Sequence, residues 1–197
     1  MRDNKRDMKM LTDQHGKILI NLARQTIEQH LGMMSTIQVG TDLLNDPALQ
    51  AHQAVFVTLN KRGQLRGCIG SLLGTESILD GVRRHAVNAA FHDHRFTPVT
   101  VDEVRELTID ISVLSEPKPL AYTDSADLVA RLRPGVDGVI LSDGTWASAT
   151  FLPQVWDQLP APEHFLGHLC RKAGLPDDAW RKKHLTIQTY QVQHFTE

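Results

Sequence analysis

The sequence predicts an α+β fold, a mainly antiparallel sheet flanked by helices. Three observations lead there. Apolar residues recur at steps of three and four in several segments, the period of a half-buried helix. Short runs of β-forming residues are joined by tight-turn signals, Lys61-Arg62-Gly63 and Ser142-Asp143-Gly144, which favour antiparallel neighbours. Helices and strands do not alternate regularly, as a parallel βαβ sheet would require. The 197 residues fit one domain, or one domain with a small lobe. Residues 1–10 read as a flexible polar arm and 11–197 as a single domain.

Each element has its own warrant. Between His15 and Leu31, Ile18, Leu19, Leu22, Ala23 and Ile27 form one apolar stripe, with Thr12 as cap and Gly32 as stop. Ala54–Leu59 and Leu65–Gly70 read as paired strands, with Gly63 as a bulge closing a type I turn. The register that keeps one face apolar pairs Leu59 with Leu65, Val57 with Gly67 and Val55 with Ile69. Val57, Leu65 and Ile69 then face the core, and Phe56, Thr58, Arg66 and Cys68 share the other face. Ser77–Phe91 is a second helix with a small-residue stripe, and Asp102–Glu106 one helical turn. Thr108–Leu114 alternates as a half-buried strand. Ser125–Leu132 is a short helix, Val139–Leu141 and Thr145–Leu152 a hairpin, Pro162–Ala173 a helix, and Leu185–Phe195 a closing strand. Trp146, Trp156 and Trp180 are too scattered for a base-stacking platform and are expected in the core or at its edge.

Charge and cysteine usage narrow the function classes. Lys and Arg total 21 against 23 Asp and Glu, a net charge of -2 that disfavours a dedicated nucleic-acid binder. Two cysteines, Cys68 and Cys170, make no disulfide framework. The first residues lack the apolar core of a signal peptide, and no stretch reaches the roughly 18 apolar residues of a membrane helix. A reduced, cytoplasmic protein without a membrane span is expected.

Leu65-Arg66-Gly67-Cys68-Ile69-Gly70 is the most unusual stretch. Two glycines weaken a strand, so another backbone or a ligand must come close there. Arg66 and Cys68 stand two apart, roughly 7 Å at about 3.3 Å rise per residue. A guanidinium beside a thiol favours the nucleophilic thiolate. The plain alternative is that Cys68 is a small buried hydrophobe and Gly67 a packing glycine. Asp93 and Arg95 either line a cleft beside this face or brace a helix exit. His164 and His168 share a helix face, and His92 and His94 flank Asp93, but neither pair closes a metal set. No metal and no cofactor are expected.

Six segments carry a further signal: VFVTLNKRGQLRGCIG at Val55–Gly70, AFHDHRFTPV at Ala90–Val99, IDISVLSEPKPL at Ile109–Leu120, LRPGVDGVIL at Leu132–Leu141, ATFLPQVW at Ala149–Trp156 and FLGHLCRKAGL at Phe165–Leu175. In this order, over nearly the whole chain from about Leu11, they resemble the AMMECR-one domain family, whose hallmark motif is Leu65–Gly70. The nearer likeness is to the bacterial and archaeal members that belong to the AmmeMemoRadiSam system. The resemblance implies an α+β fold with a larger and a smaller lobe. It also implies a Memo-like protein and a radical S-adenosylmethionine protein as partners. The chain is not itself the radical enzyme, whose cluster needs more cysteine ligands than the two present. His94 stands where relatives commonly carry proline. Two functions follow as expectations. One is an enzyme using Cys68 and Arg66 in a polar cleft, with Gly67, Gly70, Asp93 and Arg95 binding substrate. The other is a non-enzymatic accessory subunit that docks a Memo-like partner through the same residues.

Overall fold

Thr12 fixes where the chain first turns helical. Its hydroxyl accepts the His15 backbone N–H, and the His15 ring accepts the Thr12 N–H, a reciprocal cap. From there α1 (Asp13–His30) buries Ile18, Leu19, Leu22, Ala23 and Ile27, the stripe its spacing predicts. It stops at Gly32, whose φ of +69° is left-handed. The computed structural model describes residues 11–35 and 37–197, so the expected arm over 1–10 lies outside the described residues. The chain divides into two units. One runs up to Glu116 and takes in Gln193–Glu197, and the other is Pro117–Val192.

In the first unit a helical turn, α2 (Thr41–Leu44), precedes β1 (Ala54–Lys61) and β2 (Gln64–Gly70). Arg62 and Gly63 join them with φ of 51° and 76°. Two positive φ values mark a type I′ connection, not the expected type I turn with Gly63 as bulge. The bulge lies in β2 instead. Leu59 faces Gly67 while Asn60 faces Leu65, which leaves Arg66 as the extra residue. The pairing is also displaced by two from the expected register, with Val57 opposite Ile69. A displacement of two keeps every side chain on its face, so Val57 and Ile69 still serve the core. Beyond the bulge the alternation reverses. Leu65, expected in the core, lies beside Asn60 and is 44% exposed.

Helix α3 (Ile78–Phe91) starts at Ser77, whose hydroxyl accepts the Asp80 N–H. It buries Ile78, Val82, Ala86 and Ala89. A 3-10 segment, Val101–Glu106, leads into β3 (Leu107–Leu114), which buries Ile109, Ile111 and Val113.

The second unit begins with β4 (Lys118–Pro119) and α4 (Ser125–Arg131), capped by the Asp124 carboxylate. It continues through β5 (Gly138–Ser142), β6 (Ser148–Phe151), α5 (Pro162–Lys172), α6 (Ala179–Lys182) and β7 (Thr186–Tyr190). The hairpin strand expected from Thr145 starts only at Ser148. Asp143 accepts the Thr145 and Ala147 amides through its side chain and so diverts that backbone into a turn. The turn leaves Trp146 99% exposed, neither in the core nor at its edge as expected, whereas Trp156 stacks on Phe165 at 3.7 Å and Trp180 is buried.

The last strand, β8 (Val192–Thr196), belongs from Gln193 onward to the first unit. The single closing strand expected over Leu185–Phe195 is thus two strands broken at Gln191, because they belong to different sheets. One sheet has the order β2-β1-β3-β8 and the other β4-β7-β5-β6. The resolved strand pairs are antiparallel, so the α+β class holds. In the first unit α1 and α3 cover one sheet face and bury it with Val55, Val57, Leu59, Ile109 and Ile111. In the second, Leu128, Val139, Leu141, Trp156, Phe165, Leu169 and Ile187 form a separate core.

Candidate functional site

Strand β2 is an edge strand, so its outward N–H and C=O groups need partners from elsewhere. Position 67 explains how they get them. A Cβ on Gly67 would overlap the Ala89 carbonyl oxygen of α3, so glycine lets the helix backbone lie directly on the strand. That close approach carries the chain past the end of α3 to Asp93 beside the strand edge. Asp93 Oδ2 accepts the Cys68 N–H at 2.9 Å, and Arg95 Nη2 donates to the Cys68 carbonyl at 3.3 Å. The two side chains act as a substitute strand for one residue, and that residue is Cys68.

The pair is also bound to itself. Arg95 Nε and Nη2 reach Asp93 at 3.0 and 2.7 Å, and the Arg95 amide adds a third bond. The Asp93 side chain is 4% exposed and that of Arg95 57%. The Arg95 guanidinium, followed by the Cys68 and Arg95 amides, holds the Asp93 carboxyl far below the usual carboxylate range, against the opposing effect of burial. Asp93 raises the Arg95 guanidinium in turn. His92 and His94, on either side of Asp93, are exposed.

With its backbone clamped, Cys68 presents a half-buried thiol on the face opposite α3. The Thr58 hydroxyl, directly across on β1, donates to Sγ at 3.2 Å. Thr58 in turn pairs with Asp110 of β3. Asn60 Nδ2 donates to Asp110 Oδ2 at 2.7 Å, and the other carboxylate oxygen is buried without a hydrogen-bond partner. Gly70 does not open this face, because the Phe56 ring fills the space a Cβ would take. The room expected beside the two glycines is therefore occupied by the protein's own atoms.

Arg66 has a different partner from the one its spacing suggested. Its fork grips Glu103, Nε to Oε1 at 3.2 Å and Nη2 to Oε2 at 3.0 Å. Lys61 Nζ shares the same carboxylate at 2.9 Å, and the Thr100 N–H adds to it. These donors, Arg66 first, lower the Glu103 carboxyl to about 2 despite its burial. The Phe96 ring is shared by the two arginines, 6.0 Å from Arg66 Cζ and 5.4 Å from Arg95 Cζ, within cation–π range. The fold thus joins Cys68, Asp93 and Arg95 directly and ties Arg66 to them through Phe96. Glu103 and Lys61 are the additions that sequence reasoning missed. The Thr100-to-Glu103 capping spacing was readable, but it says nothing of Arg66. Among the described residues no three His, Cys, Asp or Glu side chains are grouped to hold a metal ion.

Residues 20–195 match the family model AMMECR1. The chain belongs to the AMMECR1 family. A Methanothermobacter thermautotrophicus protein is 37% identical over 192 residues, covering 95% of this chain and 96% of that protein. Protein Mbar_A1807 of Methanosarcina barkeri is 36% identical, covering 95% and 93%. The crystal structure of the uncharacterized protein PH0010 from Pyrococcus horikoshii is similar at a TM-score of 0.81 and 32% identity, over 95% of this chain and 93% of that one. Every site residue discussed lies inside the AMMECR1 match.

One prediction concerns acid. Glu103 titrates near 2 in the folded AMMECR1 chain and near its ordinary 4.5 when unfolded. A lowered carboxyl stabilises the fold fully above the unfolded value and loses that contribution as pH falls toward the folded one. The unfolding free energy from urea titrations should therefore fall between those two values, by up to about 3 kcal/mol from this group. Glu103→Gln should be less stable at neutral pH and show a flatter acid limb. An unchanged limb would remove the Arg66–Glu103–Lys61 cluster as a stabilising unit.

Proposed function

We propose that this AMMECR1 protein works in the cytoplasm as the AMMECR1 component of an AmmeMemoRadiSam system, and that Cys68 is its reactive group. The observation that supports this best is the clamp. A carboxylate and a guanidinium are spent on fixing the main chain of one cysteine, and a hydroxyl is supplied to its sulfur. The backbone partners also serve an edge strand, so the hydroxyl aimed at the sulfur is the contact that a merely buried cysteine would not need. Cys68 acts as a nucleophilic or redox thiol, and Arg66 and Arg95, both near Phe96, hold a polar or anionic substrate. Asp93 is a positioning residue, and Gly67 and Gly70 set the backbone. No helix of the described residues is long and apolar enough to cross a membrane, which agrees with a site served from solution.

A second reading has its own observation. The bulge at Arg66 turns Leu65 outward, and an exposed leucine next to an ordered arginine suits a docking surface for a Memo-like partner. Complementing a deletion strain separates the two. Under the thiol reading, wild type and Cys170→Ser restore the metabolite profile and Cys68→Ser does not. Restoration by Cys68→Ser overturns that reading. If Arg66→Ala also weakens calorimetric binding of the cognate Memo-like protein by about 1–2 kcal/mol, docking is the function.

A further inference from the structure

We propose that the turn end of the β1–β2 hairpin binds the phosphate group of a soluble, phosphate-bearing small molecule, with Arg66 and Lys61 as anchors. This deepens the reading above and rests on it for the substrate role of Arg66, but binding does not need the thiol.

Three features of this turn end support it. The first is shape and lining. An open depression of about 330 Å3 is lined by Lys61, Arg62, Gln64, Leu65 and Arg66, three cations, an amide and one apolar side chain. Among the described residues no acidic side chain lines it. The second is charge. Glu103 serves Lys61 and Arg66 together, and Arg62 is paired with Glu106 at 2.8 Å, so three cations meet two carboxylates. One positive charge is left over, and Lys61 and Arg66 are largely withdrawn from water. The third is an unused donor. Nη1 of Arg66 is buried and has no hydrogen-bond partner. A dry guanidinium N–H without an acceptor is costly, and folded proteins seldom keep one unless something else uses it.

An oxyanion resolves all three at once. It supplies the missing charge, offers acceptors to Nη1 and Lys61 Nζ, and fits the planar fork of arginine. Phosphate suits this better than a carboxylate, because its several oxygens can serve Arg66, Lys61 and Gln64 together. The depression exceeds a bare phosphate, so the ligand has an organic body, which lies against the exposed Leu65. Binding requires the Arg66 guanidinium to turn Nη1 out toward the ligand and give up part of its hold on Glu103 and the Pro98 carbonyl, while Lys61 keeps the carboxylate.

The test is calorimetric titration of the full chain with inorganic phosphate and with glycerol 3-phosphate. A parallel arm sediments the protein with phosphatidylcholine vesicles containing phosphatidic acid. The expected result is saturable binding of both soluble probes, tighter for the organic one, and no sedimentation. Arg66→Gln should weaken binding about tenfold or more, and Lys61→Gln by about threefold to tenfold. Arg66→Lys keeps the Glu103 ion pair but not the fork, so it tests the site if Arg66→Gln fails to fold. No saturable heat at millimolar phosphate, equal affinity in the folded variants, or binding only to vesicles would each overturn the proposal. If phosphate fails to bind while Cys68 still alkylates ahead of Cys170, the anion site falls and the thiol reading stands.

Discussion

Gly67→Ala should destabilise the first unit by about 3 kcal/mol or more, the overpacking cost when the obstacle is backbone. The new Cβ meets the Ala89 carbonyl oxygen, which is held inside α3 and cannot rotate away. Either β2 leaves the helix or the helix bends, and both pull Asp93 from the Cys68 amide. Gly70→Ala is the control. Its Cβ meets the Phe56 ring from Cγ outward, a half-buried side chain that must change rotamer but is not backbone, so the cost should be smaller, about 1–2 kcal/mol. Urea unfolding followed by circular dichroism measures both. Equal costs would mean that the motif's two glycines are not distinguished by what they touch.

The second large effect is an asymmetry within the clamp. Arg95→Ala should cost about 3 kcal/mol at neutral pH, because it strands a carboxylate that is almost fully buried. Asp93→Asn should cost less, about 1–2 kcal/mol, because the cation it releases is more than half exposed and can be hydrated. The pH dependence should follow. In the wild type the lowered Asp93 carboxyl adds stability that is present above the ordinary carboxylate range and lost as pH falls below it. Without Arg95 the main cause of that lowering is gone, so the acid limb should shrink. Urea midpoints from pH 7 down to pH 2 for the wild type and the two variants decide it. The reverse order, with Asp93→Asn the worse, would show that Arg95 and not Asp93 is the buried partner.

Local pattern made much of this fold legible. The α1 stripe, its Thr12 cap and its Gly32 stop depend on residues close in sequence, and they stand where the spacing puts them. The hairpin strands were legible for the same reason. Their register was not, because the tighter turn shifts it by one and the bulge at Arg66 by one more, and a bulge leaves no mark on an apolar pattern and yet reverses Leu65. The division of Leu185–Phe195 between two sheets is also invisible in a run of β-forming residues. The site divides in the same way. Cys68, Asp93 and Arg95 were nominated by residue type and by the turn after α3, and the fold brings them together. Glu103 lies 37 positions from Arg66, and nothing in either segment announces the other. The thiolate argument for Arg66 assumed a neighbour at strand spacing, whereas the guanidinium went to the long-range carboxylate.

The most direct measurement is the alkylation rate of each cysteine in the native chain with iodoacetamide, read by mass spectrometry. Cys170 is fully buried in α5, and burial raises its thiol, so it is the internal standard for an inert cysteine. Cys68 should react faster than Cys170 under native conditions, and Asp93→Asn or Thr58→Val should change its rate while leaving that of Cys170 unaltered. If Cys68 stays unmodified until the protein unfolds, the clamp holds a core residue, and Cys68 is not the reactive group.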